Sequence, residues 1–93
     1  MTSIAITELD PGRFGVEVQE GDHRTGHVVI VPDAFADEIG LTEVDPTLVV
    51  RESVGFLLDR EPSTALGEEL SLSEISRRYP DYGDELRARV TAG

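Results

Sequence analysis

The chain has 93 residues, no cysteine and a formal net charge of −11. That length allows one small domain with one modest core. The lack of cysteine excludes disulfides, thiolate metal sites and thiol nucleophiles.

The first third reads as strand. Ile4 and Ile6 alternate with Ser3, Ala5 and Thr7. Asp10-Pro11-Gly12 is a turn, because proline presets φ and glycine accepts a positive one. Phe14, Val16 and Val18 then alternate with Arg13, Glu17 and Gln19, the pattern of a half-buried strand. Residues 20–26 read as a polar connection with a glycine near each end. The run His27-Val28-Val29-Ile30-Val31 is β-branched and predicts a central strand. Short links between the three strands predict an antiparallel meander.

Pro32 stops that ladder. Asp33 is placed to cap a short helix over Ala34–Ile39, with Gly40 as its stop. Asp45-Pro46 repeats the logic and opens the longest predicted helix, Thr47–Arg60. Val50, Val54, Leu57 and Leu58 line one face of it, and Val49 with Phe56 widens the stripe. Val49-Val50 and Gly55 lower its propensity, so a strand over residues 47–51 is the alternative. Glu61-Pro62-Ser63-Thr64 breaks the helix, and residues 64–70 have room for one more turn. Ser71-Leu72-Ser73-Glu74 has the form of a capping box, followed by a short helix with Leu72, Ile75 and Tyr79 inward. Pro80 is placed to start the last helix, where Tyr82, Leu86 and Val90 share a face. The expected fold is α+β: a three-stranded antiparallel meander, a main helix packed on it and a C-terminal helical hairpin, in a single domain over residues 1–93.

Charge is unevenly spread. Residues 1–70 carry 15 acids and 4 arginines, whereas residues 71–93 carry 4 of each. A field of this sign repels nucleic acid and anionic membranes, and steers a basic protein partner. The eight cations are all arginine, so no lysine is available for Schiff-base chemistry. The start Met1-Thr2-Ser3-Ile4-Ala5-Ile6-Thr7 lacks the basic and apolar regions of a signal peptide, and a cytoplasmic location is expected.

No constellation points to catalysis. His23 and His27 are the only histidines; on a strand they share a face roughly 13 Å apart at about 3.3 Å per residue, too far for one metal. Both read as solvated loop side chains. Gly21 to Val28 has the glycine spacing of a phosphate loop but lacks its lysine and leads into a strand. The adjacent pairs Asp37-Glu38, Glu68-Glu69 and Asp84-Glu85 point about 100° apart on a helix and do not converge on a substrate. Neither enzymatic activity nor a cofactor is expected.

The segment Arg77-Arg78-Tyr79-Pro80-Asp81-Tyr82 stands out, because arginine beside tyrosine is the composition of interface anchors. Arg77, Arg78, Tyr79 and Tyr82 are therefore the candidate protein interface. The competing reading is helix-end arginines beside half-buried tyrosines.

Two resemblances bear on class. Phe56-Leu57-Leu58-Asp59-Arg60-Glu61-Pro62, followed by residues 72–82, resembles a group of small bacterial, chiefly actinobacterial, proteins without assigned activity. It implies a self-contained domain and imports no reaction. Gly26 to Pro32, then Gly40-Leu41, resembles the hairpin of AbrB-type swapped-hairpin transcription factors and antitoxins. The basic residues of that family are here Asp33, Asp37 and Glu38, which removes the phosphate contacts. The leading expectation is a small acidic protein-interaction module that binds no nucleic acid and no membrane. The alternatives are an antitoxin-like or DNA-binding regulator and an accessory subunit of an enzyme. The broad stripe of the main helix suits a homodimer as well as a core.

Overall fold

The computed structural model describes residues 2–41 and 43–92. Strands β1 (Thr2–Asp10), β2 (Arg13–Glu20) and β3 (His23–Ile30) form the expected antiparallel meander. The β1–β2 link is the Pro11-Gly12 turn. Gly12 has φ +81°, and a Cβ there would stand 2.9 Å from the Val31 carbonyl oxygen. Gly21, at φ +58°, carries the two-residue β2–β3 turn.

The sheet departs from expectation in two ways. The turn is so tight that His23–Gly26, read above as connection, pairs with Glu17–Glu20 as the start of β3. A fourth strand, β4 (Glu69–Ser71), adds to β3 in parallel, giving the order β1-β2-β3-β4. The meander is thus part of a mixed four-stranded sheet.

Between β3 and β4 run α1 (Phe35–Ile39), α2 (Pro46–Leu58) and a 3₁₀ turn over Ser63–Ala65. Asp45 caps α2, its carboxylate accepting the Thr47 N–H at 2.9 Å, and Pro46 occupies the first turn. Helix wins over strand at residues 47–51 because this capped start is followed by a buried stripe of helical period. Val49, Val50, Val54, Phe56 and Leu57 are all buried, each such side chain contributing about 1.5–3 kcal/mol when fully covered. Leu58 is half-buried at the margin.

Helices α3 (Leu72–Arg78) and α4 (Tyr82–Ala92) end the described chain. Ser71 occupies the cap position of α3, but its side chain makes no capping bond, because the residue is also the last of β4. Pro80 does not open α4. It lies in the preceding turn, where the Tyr82 N–H donates to Tyr79 O at 3.0 Å.

The inward side chains of the sheet are Phe14, Val16 and Val18 of β2 with Val29 of β3. They join α2, Phe35, Leu72, Ile75, Tyr82 and Leu86 in one core. The outward residues of β1, Ser3, Ala5 and Thr7, remain exposed. No described helix is long and apolar enough to cross a membrane.

Candidate interaction surfaces

The arginine–tyrosine segment lies where α2, α3 and α4 meet, and the structure divides its members. Tyr82 is a correction. It is fully buried, in edge contact with Phe56 at 5.1 Å between ring centroids, so its ring is a core anchor with no surface to offer. Its place in the Leu86–Val90 spacing decided this over its neighbourhood to arginine. Tyr79 is half-buried, and its hydroxyl donates to Glu61 Oε2 at 3.1 Å. Arg78 is exposed and reaches Glu61 at 3.7 Å. Arg77 is exposed and has no ion pair among the described residues.

A residue outside the segment organises it. The guanidinium of Arg60 stacks 3.7 Å over Phe56 and donates to Phe56 O and to Asp81. Arg60 and Arg78 thus pair across the junction, with Asp81 and Glu61 respectively. Arg89 continues the theme, pairing with Glu52, Asp59 and Glu85. Arg78 and Arg89 of the near-neutral C-terminal quarter are thus spent on Glu52 of α2 and on Asp59 and Glu61 just after it, rather than held out as a basic patch.

The histidines separate. His23 is exposed, whereas His27 is buried on β3, correcting its reading as a solvated side chain. Gly67 O only accepts, so Nδ1 of His27 carries the proton and donates at 2.7 Å. Nε2 lies 2.8 Å from the Thr25 hydroxyl. The ring thus straps the approach to β4 onto β3. Among the described residues no group of three or more His, Cys, Asp or Glu side chains is placed to hold a metal.

Glu20 makes a similar strap. Its carboxylate accepts the Ser63 N–H at 2.7 Å. The Ser63 hydroxyl and this N–H hold the Glu20 carboxyl below the usual carboxylate range.

The sheet offers the least finished surface. β1 is an edge strand, and its six residues Thr2–Thr7 include no charge, proline or glycine. Edges are normally blunted by such residues. Protection comes only at its end, where the register shifts between Glu8 and Asp10 and acids follow. Ile4 and Ile6 face inward, yet both stay partly exposed, while Val16 and Val18 beside them on β2 are buried. On the outer face a shallow hollow of about 340 Å³ lies over Ala5, Thr7, Gly15, Glu17 and Gly26. Leu9, half exposed, folds over Gly15 at its margin. A second hollow, of about 310 Å³, sits at the Pro11-Gly12 turn and is rimmed by Glu8 and Asp33. The sequence marks Thr2–Thr7 as an uncharged run in a chain that is 29% charged, but only the strand order makes that run an edge.

No protein-family model, curated protein or solved structure matches the chain.

Proposed function

We propose that this chain is a protein-binding module without catalysis of its own, and that it engages its partner through the free edge of β1. The observation that supports this is the uncharged ladder of Thr2–Thr7, with inward Ile4 and Ile6 left partly uncovered beside it. An open edge offers alternate N–H and C=O groups to an incoming strand, and the flanking side chains add selectivity. The arginine–tyrosine segment is the weaker surface, because Arg78 and Tyr79 are already engaged by Glu61.

Native capture from the source cell tests the reading with three forms of the chain. Wild type and Arg78→Ala should retain the same stoichiometric protein, and Ala5→Lys should lose it. Ala5 is exposed and lies opposite Glu17 on β2, so a lysine there is accommodated in the folded chain while it blocks the edge. A partner lost with Arg78→Ala and kept with Ala5→Lys would move the interface back to α3.

A further inference from the structure

We infer that the occupant of the β1 edge is a second copy of this chain, added antiparallel so that the sheet continues across a two-fold axis. The inference rests on the reading of that edge as the docking surface. It names the partner and the register.

Charge selects the place. Two chains of −11 repel over most of their surfaces. Thr2–Thr7 is an uncharged approach, and Glu17, beside it on β2, is paired with Arg24 at 3.6 Å. Pleat selects the register. Residues directly opposite in a strand pair share a face, and a slip by one residue would turn isoleucines outward. With Ala5 opposite its own copy, Ile4 of each chain meets Ile6 of the other on the core side. Ser3 then meets Thr7 on the outer side. The two isoleucine side chains that each chain leaves partly exposed, four across the pair, become mutually covered. Glu8 falls opposite Thr2 of the second copy. The two Glu8 carboxylates then stand six residues apart along the ladder, roughly 20 Å at about 3.3 Å per residue. That exceeds the Debye length of about 8 Å at physiological ionic strength, so their repulsion is largely screened. Helix α2 packs against β1 in each copy, so the two α2 helices flank the junction.

Sedimentation equilibrium from micromolar to millimolar concentration tests the inference on the intact chain. The wild type should show a doubled mass. Ala5→Lys should show the mass of one chain with an unchanged circular dichroism spectrum, since it faces two ammonium groups across the axis. The chain has no cysteine, so single introduced thiols report the register. Opposite residues in an antiparallel pair have Cα atoms about 4.5–5.5 Å apart, within disulfide reach. Ala5→Cys should therefore form a covalent dimer under mild oxidant. Ser3→Cys places its two thiols four residues apart, roughly 13 Å, and should remain monomeric on denaturing gels. A single-chain mass throughout the range overturns the inference, as does a dimer that Ala5→Lys leaves intact. Equal cross-linking of Ser3→Cys and Ala5→Cys overturns the register. A single-chain mass with a different protein captured through the β1 edge overturns self-pairing and leaves the edge reading standing.

Discussion

The phenol oxygen of Tyr82 lies 2.5 Å from the Ser53 hydroxyl, and both side chains are fully buried. Ser53 spends its single proton on Val49 O at 2.7 Å, so the phenol donates and the serine accepts. The pair pins α4 to the middle of α2.

The two sides of this bond should respond unequally to deletion. Tyr82→Phe removes the donor with its group and should cost about 0.5–1.5 kcal/mol. Ser53→Ala leaves a buried O–H without a partner and should cost about 1–3 kcal/mol. Urea denaturation of both variants checks the order, and an equal or reversed cost would refute the assigned donor.

Alkaline stability should depend on the same residue. Burial pushes the Tyr82 phenol above its ordinary value of 10.0, so the folded state favours the neutral form. That contribution is complete below pH 10 and is lost as pH rises from there toward the folded value. One proton corresponds to a slope of up to about 1.4 kcal/mol per pH unit. Tyr82→Phe should flatten this limb, as measured by urea midpoints across the alkaline range.

Acid stability should depend on Glu20. Its carboxyl is lowered from the ordinary 4.5, first by the Ser63 hydroxyl and then by the Ser63 N–H. The stabilisation is present above the unfolded value and is lost as pH falls through the lower folded one. Glu20→Gln keeps an oxygen for the Ser63 N–H and removes the titration. Its acid unfolding curve should lose sensitivity below pH 4.5, whereas an unchanged curve would place the acid dependence elsewhere.

His27→Ala should loosen β4 more than the rest of the sheet. It frees Gly67 O and the Thr25 hydroxyl, at about 1–3 kcal/mol for the lost buried bonds. The Val28 N–H, which donates to Glu68 O at 2.7 Å, should then exchange with solvent much faster. Amides between β1 and β2 should change little, and a uniform rise across the sheet would contradict a local strap.

The parts legible in the sequence were those whose causes are local. Phe14, Val16 and Val18 mark β2 by alternation, and Asp45-Pro46 marks the start of α2 by capping chemistry. β4 has no such mark. Three residues, Glu69-Leu70-Ser71, become a strand only because β3 has a free side some 40 positions earlier. His27 carries no local mark of burial for the same reason, since its partner Gly67 is equally remote. Tyr82 carried two local signals that disagreed, helical spacing and adjacency to arginine, and packing followed the spacing. The β1 edge could not be recognised before the strand order was known, because an edge is a property of the sheet and not of the strand.

Gly55, which weakens the interior of α2, has its counterpart on α4. A Cβ at Gly55 would stand 3.3 Å from Nη1 of Arg89, so the missing side chain makes the seat for that guanidinium. From the seat Arg89 faces Glu52, Asp59 and Glu85 together. In this strongly acidic chain α4 thus supplies a tethered counterion to α2, in place of mobile cations drawn from solvent. Detachment of the last helix would expose those carboxylates and take up cations from the medium. Added salt should therefore favour that local opening.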